Sequence, residues 1–566
     1  MPWGFPLQNG GSSATITTPA EAKPAAFNCS ANTMGLTELT FTGGQGDFSQ
    51  RPHQLAFYFQ DDYKVTPRLT LNLGLRWDAN IKFLGKQLTD DPLTSNRVVL
   101  VMRQVLAANP SAAAAQDGLN YIKSTWGDES ALRRTTANWK EFQPRVGFAY
   151  DVNGNGKLVV RGGYGIAFDQ VFQNLTLFGL QLSNQFIYTT VLDCTGDPAG
   201  NCPDFNAYRP FTDPLPAPPA FSTSLPVGSS PVRINDPDLT DPYSQQFSIG
   251  GAWQFRPDWA FSVDYYHTLG IHEQRAINAN PRIRTTCDPA YGGNPADPRC
   301  VSGTGTRFLA AAFQAAELDP NQVGEIRKLT ANNRSRYDGI NFVLRKRFSH
   351  NYTMQASYVL SWSRSWGGVP TASYGGTGAR IDFRDQFKPE EYGPTVFDER
   401  HRVVVSGVFD LPYGFEVSPI FQAASARPYP FQAGVDVNGD GVTNLNDRVC
   451  IGSTSQQAIV TRGCQEVSPN TQRGDPLAQL DVRLAKAFKF NKERMAFRLY
   501  WEFYNLFNTN NFGNNFNVVC GAGFTSATGA PCDPDFGTPA GYFGGQGAGA
   551  PTSGPLRSQF GFRFEF

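Results

Sequence analysis

The sequence predicts an all-β fold, an antiparallel transmembrane β-barrel, on three observations. Apolar and polar residues alternate with period two over about thirteen segments of roughly 10 to 13 residues. The connections alternate between very short and very long, and aromatic side chains gather on the apolar faces. In RLTLNLGLRWD, Leu69, Leu71, Leu73, Leu75 and Trp77 share one face, while Thr70, Asn72, Gly74, Arg76 and Asp78 share the other. KLVVRGGYGIAF repeats the split, with Leu158, Val160, Tyr164, Ile166 and Phe168 against Lys157, Arg161, Gly163 and Gly165. RMAFRLYWEFY sets Met495, Phe497, Leu499, Trp501 and Phe503 against Arg498, Tyr500, Glu502 and Tyr504. The last residues set Phe560, Phe562, Phe564 and Phe566 against Gly561, Arg563 and Glu565.

A soluble sandwich would also alternate, so length and punctuation must separate the two. Strands of soluble sheets usually run about five or six residues, whereas a tilted strand crossing a bilayer needs roughly 9 to 11. The short connections are KVTP (64–67), NGNG (153–156), RPD (256–258), SHN (349–351), LPYG (411–414) and FNK (490–492). Between them run long links at about 80–140, 170–242, 269–335, 364–397, 426–476 and 506–556. Compact soluble domains rarely hold several structureless links longer than about 15 residues, while outer-membrane barrels pair tight periplasmic turns with large extracellular loops. Trp77, Trp253, Trp259, Tyr265, Tyr358, Trp362, Trp501 and Phe566 lie on the apolar faces, several near strand ends where interfacial girdles form.

Composition excludes other classes. Among 566 residues, 49 Lys+Arg balance 49 Asp+Glu and only 17% are charged, against about 25% in ordinary soluble domains. With no net charge and no basic stripe, the chain lacks the clustered Lys and Arg that nucleic acid requires. At 40% hydrophobic and 13% aromatic it is too apolar for a disordered chain. The longest apolar run, residues 98–102, is a short loop-flanked stretch far below the roughly 18 residues of a spanning helix.

Eight of the nine cysteines fall into near neighbours in Gly-, Pro- and Asp-rich stretches: Cys194 with Cys202, Cys287 with Cys300, Cys450 with Cys464, and Cys520 with Cys532. Four local disulfides are the natural reading. Free or metal-binding thiols are the alternative, against which stand the lack of CxxC spacing and five scattered His. All four pairs lie in the long links, the side assigned to the cell exterior. Disulfides imply an oxidising compartment, yet MPWGFPLQNGGSSATITTPAEAKPAAFNCS has neither the positive nor the apolar region of a secretory signal. The expectation is a truncated beginning and a bacterial outer-membrane location.

Three segments, HQLAFYFQDDYKVTPRLTLNLGLRWD (53–78), FQPRVGFAYDVNGNGKLVVRGGYGIAFDQ (142–170) and DVRLAKAFKFNKERMAFRLYWEFYNLFNTNNFG (481–513), resemble TonB-dependent outer-membrane receptors, specifically the Oar-like branch. The closing FGFRFEF resembles the C-terminal strand that the barrel-insertion machinery reads, ending on Phe566. The resemblance covers nearly all of residues 53–566 and implies the C-terminal part of a 22-stranded barrel. It further implies a plug domain and a TonB-engaging segment, for which this chain shows no counterpart. Residues 1–52 then form an extracellular loop or the remnant of an upstream strand, in which LTELTFTGGQGDF ends an earlier strand. The implied partners are outer-membrane lipid, the TonB complex, the insertion machinery and an extracellular ligand; no nucleic acid is among them.

For chemistry, the sequence holds no P-loop, no GxSxG and no HExxH, so no enzyme is expected. His401 beside Glu399 and Arg400 in DERHRVVVS is a candidate catalytic group, but a charged rim at a strand entry explains it more simply. In a barrel, Arg76, Asp78, Arg161, Arg345, Arg402, Asp481, Arg483, Arg498 and Glu502 line the lumen, pairing with one another and with a plug. DVNGDGVTNLND (436–447) has calcium-loop spacing: Asp436, Asn438 and Asp440 at positions one, three and five, Gly441 at six, the Val442 carbonyl at seven and Asp447 at twelve. Asn444 at nine would act through water. Asp in place of Glu at twelve departs from the pattern, and a solvated Asx-rich turn is the alternative. Calcium in that loop is the one cofactor the sequence suggests. The expected function is TonB-driven nutrient uptake of a peptide, glycan or metal chelate; a passive porin or a surface adhesin or scaffold of about fourteen strands, counting LTELTFTG, is the alternative.

Overall fold

The computed structural model describes residues 3–5, 14–16, 38–44, 53–84, 97–126, 136–169, 187–193, 232–236, 239–283, 306–366, 387, 389–432, 450–451, 465–466, 468–490, 495–518, 534–541 and 554–565. One antiparallel sheet dominates, built from β1 (His53–Thr66), β2 (Leu69–Leu84), β3 (Thr136–Asp151), β4 (Leu158–Phe168), β5 (Tyr243–Arg256), β6 (Trp259–Asn278) and β7 (Ile326–Ser349). It continues through β8 (Tyr352–Trp366), β9 (His401–Leu411), β10 (Phe415–Ala424), β11 (Leu477–Phe490), β12 (Met495–Tyr504) and β13 (Arg557–Glu565), each paired with its chain neighbour. These are the thirteen strands expected from periodicity, in up-and-down order. Two short strands join the sheet: Val232–Asn235 runs parallel to the outer end of β7, and Tyr392–Pro394 lies antiparallel to β8.

Turn chemistry closes one end of the hairpins. At the β3–β4 turn the Asp151 carboxylate accepts from the Gly154 and Gly156 amides at 2.9 and 2.7 Å, and both glycines take φ near +70°, which their missing Cβ permits. His350 and Asn351 both have positive φ, the twist a two-residue hairpin loop needs to match its strands. At the β1–β2 turn the Thr66 hydroxyl accepts from the Arg68 and Leu69 amides at 3.2 and 3.0 Å. Between neighbouring turns, the Ser349 hydroxyl donates to Asp258 at 2.5 Å, and Lys346 reaches both at 2.7 and 3.5 Å.

The strands of the middle of the sheet outrun the expected 10 to 13 residues. β6 has 20 and β7 has 24, so the link read as 269–335 is strand at both ends. The surplus is a β-ribbon continuing past the length a bilayer requires, with register shifts between Ile271 and Arg275.

The long links also carry structure that periodicity missed. Residues 98–102, read as a loop-flanked run, open α1 (Arg97–Ala108); α2 (Ala113–Trp126) follows, and α3 (Ala310–Ala315) precedes β7. Val98, Val101, Met102 and Val105 recur at helical spacing and are buried with Leu119 and Ile122 of α2. Phe313 and Ala312 of α3, with Val232, Ile234 and Ile326, complete the same cluster. The largest buried apolar core of the described residues therefore lies in the links, while the sheet's apolar face stays exposed: Phe57, Phe59, Trp501, Phe560 and Phe562 are 48 to 70% accessible. A water-soluble sheet would cover such a surface.

LTELTFTG is corrected. Glu38–Gly44 pairs antiparallel with Ile187–Asp193, in a two-stranded sheet apart from the thirteen, so it is no fourteenth strand. The exposed edges β1 and β13 each have one strand neighbour among the described residues, leaving the sheet open there.

Candidate functional site on the polar face of the sheet

Cross-strand partners share a face, so the registers decide which side chains stand together. Followed from β1 to β13, they place Arg76, Asp78, Arg161, Arg345, Arg402, Asp481, Arg483, Arg498 and Glu502 on one face. Trp77, Trp253, Trp259, Tyr265, Tyr358, Trp362 and Trp501 all fall on the opposite face. Phe566, the eighth aromatic named, lies outside the described residues.

The polar face is a set of clamps that reach across intervening strands. Arg161 on β4 donates through Nε and Nη2 to the two oxygens of Asp264 on β6, at 3.0 and 2.9 Å. Gly250 of β5 lies between them in register, and a Cβ there would collide with the Asp264 carboxylate. Arg498 of β12 likewise passes β11, where Ala485 and Ala487 are the register neighbours, to reach Glu416 of β10 at 3.3 Å. Small residues in the middle strand are what let a long guanidinium span two strand spacings.

Other pairs are local. Arg76 Nε lies 2.9 Å from Asp78, which also accepts from Gln143. Arg345 donates to Gln355 at 3.0 Å, and Arg483 approaches Glu502 at 3.7 Å while lying over the Tyr500 ring. Asp481 accepts from the Asn505 amide at 2.8 Å and from Gln479 at 2.9 Å. At the rim, Glu399 binds Arg402 at 2.9 Å and Arg427 at 2.6 Å. His401 faces the other way, its Nδ1 2.8 Å from the Tyr358 hydroxyl, so Glu399 and His401 form no catalytic pair.

In both clamps the arginine is read from the sequence and its carboxylate partner, Asp264 or Glu416, is not. Asp264 and Glu416 sit in phase with Ser262 and Ser418 on the polar face, a signal that strand-by-strand parity carries. Sequence reasoning also missed a buried group at the outer ends of β2 and β3, where Asn80 donates to Glu141 at 3.1 Å and to Asp241 at 3.4 Å. Asp241 comes from a long link, and only folding brings it there.

The calcium-loop residues Asp436, Asn438, Asp440, Val442 and Asp447 lie outside the described residues. So do Cys194, Cys202, Cys287, Cys300, Cys464, Cys520 and Cys532; Cys450 lies in a two-residue strand whose partner is Gln465–Glu466. Among the described residues no group of three or more His, Cys, Asp or Glu is arranged to hold a metal ion, and no helix is long and apolar enough to cross a membrane.

The family model of the outer membrane beta barrel domain matches residues 8–536. The chain belongs to this family and is a protein of the bacterial outer membrane. No curated protein sequence matches it. Among solved structures it is similar to the outer membrane transporter YddB of Escherichia coli, at 10% identity and TM-score 0.44, covering 85% of this chain and 43% of that one. It is similar to the ferric enterobactin receptor of Pseudomonas aeruginosa at 9% identity and TM-score 0.40, covering 91% and 44%. It is similar to the pyoverdine receptor FpvA of Pseudomonas aeruginosa PAO1 at 12% identity and TM-score 0.39, covering 91% and 42%. The chain thus spans less than half the length of these structures.

Proposed function

We propose that these thirteen strands are the C-terminal part of a TonB-dependent receptor barrel that imports a peptide, glycan or metal chelate. The carrying observation is the open sheet. β1 is exposed along all of its 14 residues, Phe57 and Phe59 included, and an edge of that length and apolarity invites pairing. Bacterial single-chain barrels close on an even number of strands, so closure calls for further strands beyond the thirteen. A barrel of about 22 strands, the size the resemblance implies, encloses a lumen wide enough to hold a plug, and the clamps of the polar face form a charged wall against which a plug can seat.

Energy for uptake must reach the outer membrane through a partner, since no nucleotide is supplied there. The resembling segments at 53–78, 142–170 and 481–513 favour TonB as that partner. A catalytic role draws no support from the polar face, where Asp264, Glu416 and Glu399 are tied to guanidinium groups and Asp481 to amides. The fourteen-strand passive barrel loses its support with the pairing of Glu38–Gly44 outside the main sheet.

Deletion of the gene tests the reading. Growth of the deletion strain on limiting iron chelate, peptide or glycan is expected to fail for one class and to be restored by complementation. The same loss is expected without TonB, with no added defect in the double deletion. Uptake that persists without TonB would contradict the proposal.

A further inference from the structure

Three arginines stand on the lipid-facing side of the sheet, where aromatic and aliphatic residues otherwise prevail. Arg334 and Arg336 of β7 and Arg364 of β8 are exposed, and all three share a face with Phe342, Leu344, Tyr358, Leu360 and Trp362. Arg336 and Arg364 are direct cross-strand partners. Like charges placed opposite each other destabilise a sheet unless an anion joins them.

Among the described residues, Asp338 supplies that anion to Arg336 and no ion pair reaches Arg334 or Arg364. Asp338 lies 2.6 Å from Arg336 Nε through Oδ2, and its Oδ1 is already occupied by the Tyr265 hydroxyl and His267 Nδ1, each at 2.7 Å. Arg334 and Arg364 instead lie over the rings of Phe387 and Tyr392, at 5.2 and 5.9 Å from their centroids. Stacking uses the face of a guanidinium, whereas its N–H donors lie in the plane and remain suited to an oxyanion.

Their height is informative. Arg364 follows Tyr352, at the short-turn end of β8, by ~12 residues. At ~3.3 Å per residue and ~40° tilt this places it ~30 Å above the turn, just past an apolar band ~25 Å tall. Every side chain on the same face of β8 below it, Tyr352, Met354, Ala356, Tyr358, Leu360 and Trp362, suits acyl chains. An anion held by the arginines would therefore sit at headgroup level with its hydrocarbon below.

We propose that Arg334, Arg336 and Arg364 form a binding site for the phosphate of an outer-leaflet lipid, whose acyl chains lie along the apolar face of β8. Guanidinium forks match phosphate geometry, and the apolar face beneath selects a lipid over free phosphate. The inference rests on the outer-membrane location and is independent of what the barrel imports.

The test uses the protein purified in detergent from outer membranes, with thermal unfolding followed during titration with bis-phosphorylated lipid A in mixed micelles. The transition is expected to rise with this lipid and to stay put with dephosphorylated lipid A or inorganic phosphate. The combined Arg334→Ala, Arg336→Ala and Arg364→Ala variant is expected to bind at least ~10-fold more weakly, and the three Lys replacements to retain part of the affinity. No rise with the phosphorylated lipid, an equal rise with the dephosphorylated lipid, a rise with phosphate alone, or unchanged affinity in the alanine variant would each overturn the proposal. Should the alanine variant fail to fold, the lipid comparison on the unaltered protein decides alone.

Discussion

The two halves of the Arg161–Asp264 clamp are unequal: the guanidinium is half-exposed and the carboxylate is buried. Removing the arginine strands a buried charge, while removing the aspartate leaves an arginine that water can solvate. Arg161→Ala is accordingly expected to lower barrel stability by about 2–3 kcal/mol and Asp264→Ala by less, with the pair Arg161→Ala/Asp264→Asn recovering part of the loss. Urea unfolding in detergent measures all three. Equal costs for the two single changes would contradict the reading. Gly250 gives a further check, since Gly250→Val fills the space the clamp crosses and is expected to cost as much as Arg161→Ala. At this scale the sequence was half legible. Alternation puts Arg161 on the wet face, but its partner two strands away is set by the β4–β5–β6 register, which no local pattern contains.

Among elements, the helices of the links make the strongest claim. α1, α2 and α3 share one buried cluster, in which Phe313 is 1% exposed. Phe313→Ala is expected to destabilise that layer by about 3–5 kcal/mol while leaving the membrane strands in place. Protease treatment of intact cells should then cut the exposed links faster, with unchanged heat modifiability of the barrel. The turns give an independent prediction. A hydroxyl from Ser349, with Lys346 near, holds the Asp258 carboxyl below the usual carboxylate range. A lowered pKa contributes stability that is full above the unfolded value near ~4 and is lost as pH falls through the folded value. Unfolding midpoints of the unaltered protein and Asp258→Asn should therefore differ at pH 7 and converge in acid; a gap that persists at pH 2 contradicts this origin. The strands were legible because a bilayer enforces period two over a long run. The helices were not, because one turn of apolar residues at 98–102 is equally a short apolar run until the partners at 119, 122 and 313 are known. The long ends of β6 and β7 were missed for a related reason: beyond the bilayer the face requirement relaxes and alternation fades.

For the whole molecule, two surfaces face two solvents. One face of the sheet carries rings for lipid and the other carries charges that hold one another across strands. Thirteen strands in chain order leave β1 and β13 as open edges among the described residues. On the proposed function, these strands belong to a wider, plugged barrel. The most direct measurement is a blot of the native organism's outer-membrane fraction, using an antibody against the β12–β13 region, with and without boiling. A heat-modifiable band is expected whose boiled mass lies far above 62.1 kDa, with room for further strands and a plug. A heat-modifiable band at 62.1 kDa in that fraction would contradict this reading and return the chain to the class of small barrels that close on their own strands.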